Sequence, residues 1–201
     1  MPYDYSDAPP PRGFDLIPHG TTATIAMHPR PGGVGEDGML KRSKDGGCEM
    51  PDVEYVVVDG THARRKFWGN MVLAGTTDGH AEAAKISRGV LRTIIESARG
   101  IKPDDMSPQA RAARTVSLKD FDNLVFIGRI GIEKGGPKKD SAGVPTGDHY
   151  ADKNILAAVI TPDKKEWYAV EQAPPFNGGA SGAQAAPADA ALVSEPPDWA
   201  R

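Results

Sequence analysis

The sequence predicts a mainly β domain over residues 20–170, a five-stranded barrel with one main helix between strands three and four. Three observations predict it. Five short segments alternate apolar and polar residues or run apolar, as strands do. One long stretch repeats apolar residues at three- and four-residue spacing, as an amphipathic helix does. Both ends are polar and rich in Pro, Gly and Ala, so the domain stops short of them.

Residues 1–19 are acidic and Pro-rich and read as a disordered arm. Residues 21–27 (TTATIAM) form the first strand. Residues 30–47 are glycine-rich and charged, a long mobile loop. The second strand is 48–58 (CEMPDVEYVVV), with Pro51 at its edge or start. Asp59-Gly60 is a hairpin signal leading into the third strand, 65–73 (RKFWGNMVL). Residues 75–79 turn and cap the helix over 80–99, whose apolar face carries Ala83, Ile86, Val90, Leu91, Ile94 and Ile95. Gly100 is its stop. Within the polar excursion 101–120, Ser107-Pro108 suits the start of a short helix. Residues 124–134 (LVFIGRIGIEK) form the fourth strand, with Leu124, Phe126, Ile130 and Ile132 as core and Arg129 projecting oppositely. A second long loop, 135–152, carries glycines and lysines. Residues 153–160 (KNILAAVI) form the fifth strand, and 167–170 allow a short final one. Residues 171–201 read as a flexible acidic tail.

Strand, strand, strand, helix, strand, strand is the order of an oligonucleotide-binding barrel. Closing the sheet removes its edges, and the helix plugs one end. The two long loops are those that flank the binding face in that fold. A plain α+β sandwich uses the same elements.

Composition excludes several classes. The 39% hydrophobic content, 23 Gly and 18 Pro fit a single core with many turns. The lone Cys48 allows no disulfide within the chain and no cysteine-based metal cluster. Residues 1–13 contain no apolar run resembling a signal peptide, and no segment is apolar enough to span a membrane. These features fit a reducing cytoplasm, in a bacterial or viral setting. The net charge of −3 is unevenly spread, with acidic ends on a slightly basic body.

Enzyme signatures are missing. Gly32-Gly33-Val34-Gly35 lacks the Gly-Lys-Ser/Thr ending of a phosphate loop and opens no helix. The five histidines have no zinc-ligand spacing. Pro51-Asp52-x-Glu54 is similar to a nuclease motif, but Val56 stands where the lysine belongs. The chain is therefore expected to be no enzyme and to need no cofactor.

Single-stranded nucleic acid asks for cations along a backbone track and aromatic rings as stacking platforms. Lys41, Arg42 and Lys44 lie in the first long loop. Arg64, Arg65 and Lys66 open the third strand beside Trp68. Lys134, Lys138 and Lys139 lie in the second loop, which ends at Tyr150, and Lys164-Lys165 precedes Trp167-Tyr168. The loop cations are expected together at one end of the barrel. Alternation places Phe67, Met71 and Leu73 on one face of strand three and Lys66, Trp68 and Asn70 on the other, which makes Trp68 the stacking candidate. Arg129 is a candidate backbone contact. Tyr55, alternating with Val53 and Val57, reads as core. In the tail, Glu195, Asp198 and Trp199 suit a peptide that docks partner proteins or competes for the basic groove.

Several landmarks together resemble a phage-associated family catalogued as domain of unknown function 669. They are KRSKDGG at 41–47, Val-x-Asp-Gly at 57–60, ARRKFWGN at 63–70, the helix, GRIGIEK at 128–134 and YADKN at 150–154. The resemblance covers roughly residues 20–165. It implies an oligonucleotide-binding fold and a single-stranded-DNA-binding role in phage replication and recombination, without identifying contact residues. The expected partners are single-stranded DNA and, through the tail, replication or recombination proteins. A module that binds a replication or host enzyme without nucleic acid is the alternative, and both DNA-versus-RNA preference and a homo-oligomer stay open.

Overall fold

The computed structural model describes residues 15–171. In chain order the elements are β1 (Thr21–Arg30), β2 (Leu40–Arg42), β3 (Cys48–Val57), β4 (Lys66–Asn70), β5 (Ala74–Gly75), α1 (Asp78–Arg99), α2 (Pro108–Ala113), a 3-10 turn (Leu118–Phe121), β6 (Leu124–Glu133), β7 (Pro137–Lys139), β8 (Pro145–His149) and β9 (Lys153–Val159). The five expected strands are β1, β3, β4, β6 and β9. They form one antiparallel sheet in the order β4-β3-β1-β6-β9, with short β2 and β5 paired to the start of β3.

The sheet is not closed. Its edges, β4 and β9, approach one another, but no ladder joins them. A ladder needs strands about 4.8 Å apart; here a cavity of about 610 Å³ lies between the two edges.

Alternation decides what each strand buries. Ile25 and Met27, Val53, Tyr55 and Val57, Phe67, and Phe126 and Ile130 form one apolar face. Tyr55 stacks on Phe67 at 5.1 Å between ring centroids and meets Phe126 edge-on at 6.4 Å. Leu91, Ile94, Ile95 and Ala98 of α1 pack onto this face. Burying each large aliphatic side chain contributes roughly 1.5–3 kcal/mol. The hydroxyl of Thr77 caps α1 by accepting from His80 N at 3.2 Å. Gly100, at φ 65°, ends it in the left-handed conformation that glycine adopts without a Cβ penalty.

The polar excursion is held by a buried carboxylate. Glu96, 1% exposed, accepts from Arg92 Nε and Arg114 Nε, each at 2.8 Å. The Arg114 guanidinium also donates to the carbonyls of Lys102 and Asp105, and Arg92 to that of Pro103. Ser107 caps α2, with Pro108 in its first turn, as the sequence predicts.

Besides the unclosed sheet, four further features depart from the sequence expectations. Segment 15–19, expected within the disordered arm, is anchored to the domain through Ile17. Ile17 is 1% exposed, and its backbone N–H and C=O bond to Oδ1 and Nδ2 of Asn154 at 2.9 and 2.8 Å. Strand β6 is buried on both faces, Val125 and Ile127 included. Thr24, the cross-strand partner of Ile127, points the same way and meets the Tyr168 phenol at 2.7 Å, so the C-terminal segment covers this second face. Residues 167–170 form no strand. Instead Trp167 donates to Ser97 O at 3.0 Å and lies against Gly100, capping the end of α1. Finally, the two long loops are not structureless. The first contains β2 and the second the β7–β8 hairpin.

Candidate nucleic-acid interface

The cleft between β4 and β9 is the candidate site. The turns over residues 58–65 reverse β3 into β4, opening at Asp59-Gly60 and closing where Arg64 N donates to Val57 O. The tight two-residue hairpin expected at Asp59-Gly60 is thus replaced by a longer one whose register pairs Glu54 with Trp68. The core-facing Phe67 turns its neighbours Lys66 and Trp68 outward. Trp68 is 50% exposed. Arg64, Arg65, Lys66 and Trp68 line the β4 wall of the cavity of about 610 Å³, and Asp152, Lys153 and Asn154 the β9 wall. Trp68 and Lys153 also line an adjoining hollow of about 410 Å³ that reaches Ile86 and Val90 of α1. The exposed Leu16 and Ile86 extend the apolar surface around Trp68 at the two ends.

Arg64 is held at φ 66°, a left-handed conformation unusual for a side-chain-bearing residue. Such a backbone costs roughly 1–3 kcal/mol and gathers at functional sites. Arg64 is exposed at the lip of the cleft. Arg65 donates to the carbonyl of Asp15, tying the start of the described chain to β4.

Carboxylates share the site with these cations. Glu54 takes Lys66 at 2.7 Å and the Trp68 Nε1–H at 3.3 Å. Partial burial works against ionisation of Glu54, but the Lys66 ammonium and the indole N–H outweigh it and hold its carboxyl below the usual value. Lys153 pairs with Glu133 at 3.2 Å. Lys134 binds Asp152 at 2.7 Å, and this bond, with that from Gly135 N, lowers the Asp152 pKa. A Cβ on Gly135 would sit 1.7 Å from Tyr150 O, so only glycine lets the neck of the second loop close.

The predicted cations therefore split into groups. Arg64, Arg65, Lys66 and Trp68 are together in the cleft. Lys134, Lys138, Lys139 and Tyr150 belong to the loop that leads into its β9 wall. Lys138 Nζ stands 6.0 Å from the centroid of the exposed Tyr150 ring. Lys41, Arg42 and Lys44 lie elsewhere. The expectation that both basic loops share one end of the domain is corrected, because β1 and β6 are antiparallel. The exit of β1 adjoins the entry of β6, so the loops leave from opposite ends of that ladder. Lys41 pairs with Met50 on β3 while Lys66 pairs with Val56, about 20 Å further along at strand rise. Lys41 and Arg30 bind Asp52, and Arg42 binds Glu49. Arg129 is separated from the cleft by β9 and is bound to Glu166 at 3.1 Å. Asp198 and Trp199 lie outside the described residues.

Comparison with known proteins adds no relative. No family model, curated protein or solved structure matches the chain.

Sequence reasoning omits Lys153, Asn154 and Leu16 from the site. Lys153 and Asn154 stand in the motif at 150–154, but only the sheet order sets them opposite Trp68. The nuclease-like pair is already engaged, Asp52 by Arg30 and Lys41, Glu54 by Lys66 and Trp68. Among the described residues no group of three or more His, Cys, Asp or Glu side chains is placed to hold a metal ion.

Proposed function

We propose that this chain binds single-stranded DNA without sequence preference, as part of a phage replication or recombination module. The carrying observation is the half-exposed Trp68, set in a cleft rimmed by Arg64, Arg65, Lys66 and Lys153. An indole face stacks any base, and the cations meet the phosphates on either side of it. The order β4-β3-β1-β6-β9, with the main helix between β4 and β6, supports reading the sheet as an incompletely closed oligonucleotide-binding barrel. In that reading β3 and β4 are the binding face, and the loop carrying Lys138 and Tyr150 flanks it. Phosphates would compete with Glu54, Glu133 and Asp152 for the lysines, so binding is salt-sensitive and moderate in strength.

Fluorescence anisotropy with labelled oligo(dT) at low and moderate salt tests this. Micromolar or tighter binding that weakens with salt is the expected result; no binding at either salt overturns it. The exposed Trp68 on edge strand β4, with exposed Leu16 and Ile86 of α1 nearby, favours a second reading, a protein-docking cleft. Partners that survive nuclease treatment in a pulldown, with no oligonucleotide binding, would establish that reading instead.

A further inference from the structure

A second basic surface lies apart from the cleft, on α1 and the excursion that follows it. From Arg88 to Lys119 the chain carries seven Lys/Arg against three Asp/Glu, within a molecule of net charge −3. One of those three acids, Glu96, is buried and taken by two arginines. Here a hollow of about 390 Å³ has an apolar floor and an arginine rim. Leu73, Val116 and Leu118 are half-buried in the floor, Arg88 and the half-exposed Arg92 form the rim, and Arg114, with 12% of its side chain exposed and bound to Glu96 and two carbonyls, backs it. Arg88 is pinned by its bond to Leu73 O at 3.0 Å. A phosphate backbone would use the rim and leave the aliphatic floor unused. A short peptide with acidic and bulky apolar residues uses both.

The chain carries such a peptide. Residues 193–201 read VSEPPDWAR, with Glu195 and Asp198 bracketing a proline pair and Trp199 next to it. The last anchors of the described chain are Trp167, against the end of α1, and Tyr168. From Gly100 back to Arg88 is about 18 Å along the helix. The intervening residues 172–192 are rich in Ala, Gly and Pro. A flexible chain of that length has a root-mean-square span of about 25 Å. The peptide therefore starts within reach of the groove, and its charge is opposite.

We propose that residues 193–201 dock onto the arginine-rimmed groove between α1 and the excursion of their own chain, with Trp199 on the apolar floor and Asp198 and Glu195 against the arginines. This stands independently of what the β4–β9 cleft binds.

Paramagnetic relaxation in the full chain tests it. A nitroxide is placed at Ser194→Cys in a Cys48→Ala background. Amides of residues 88–95 and 116–121 should lose most of their intensity. The loss should vanish when Glu195 and Asp198 are both changed to Lys, a change that leaves every described residue intact, and Arg88→Glu should reduce it. Uniform broadening, or broadening centred on Lys66–Asn70 and residues 153–156, overturns the proposal. So does broadening seen only between labelled and unlabelled molecules in a mixture, which makes a second copy the occupant. Oligo(dT) shifting the groove amides while the label broadens none of them assigns the groove to nucleic acid and also overturns it.

Discussion

Trp68 donates its indole N–H to Glu54 across the β3–β4 ladder at 3.3 Å, and the same carboxylate holds Lys66 at 2.7 Å. One acid thus orients the candidate stacking ring and neutralises the cation beside it. The ring is preset at the cost of a partly spent charge.

Trp68→Ala should weaken oligo(dT) binding by about 1–3 kcal/mol, the value of one base stacked on an aromatic ring. Trp68→Phe should retain most of the affinity. Because the ring is half-exposed, urea midpoints should move little in either variant. Anisotropy titration beside urea denaturation separates the two effects.

Glu54→Gln should loosen the fold by about 0.5–1.5 kcal/mol and tighten oligonucleotide binding, since Lys66 is released to phosphate. The pH dependence follows from the lowered Glu54 pKa. A carboxyl whose folded pKa lies below its unfolded one adds stability above the unfolded value, near 4.5, and loses it as pH falls through the folded value. Stability, read from urea midpoints between neutral and acidic pH, should therefore fall less steeply for Glu54→Gln than for the parent chain.

Arg64→Gly separates stability from binding. Glycine accepts the φ of 66° without strain, so stability should hold or rise by up to about 1 kcal/mol. Binding should weaken, and the slope of log K against log salt should shrink by about 0.7, one phosphate contact on a single strand. Arg129→Ala, across β9 from the cleft, should change neither affinity nor slope.

Glu96→Ala should cost about 3–5 kcal/mol, because Arg114, with 12% of its side chain exposed, is left without its carboxylate. The carbonyls of Lys102, Pro103 and Asp105 then lose well-placed donors. Urea denaturation should show the destabilisation, and limited proteolysis should show earlier cutting within 101–120.

Much of this architecture was legible along the chain, because each signal was local. Period-two alternation turned Phe67 inward and Trp68 outward. Ser107-Pro108 started a short helix and Gly100 stopped α1, while Asp59-Gly60 marked only the start of a reversal that takes residues 58–65. Such features depend on neighbours a few residues away and on backbone geometry that repeats.

The composition of the site was a different matter. Nothing near Trp68 in the chain points to Lys153; the two line one cavity because β4 and β9 are the two edges of one open sheet. Whether a lysine is free or already bound to a carboxylate depended on register, which placed Glu54 beside Lys66 and Glu133 opposite Lys153. Register also carried the two basic loops to opposite ends, and the carboxamide of Asn154 brought Ile17 into the core. Alternation says which face a residue takes, but it holds no distance between strands. Those distances arose only when the sheet assembled, as β1 and β6 paired antiparallel and every edge had to find either a neighbour or a cleft.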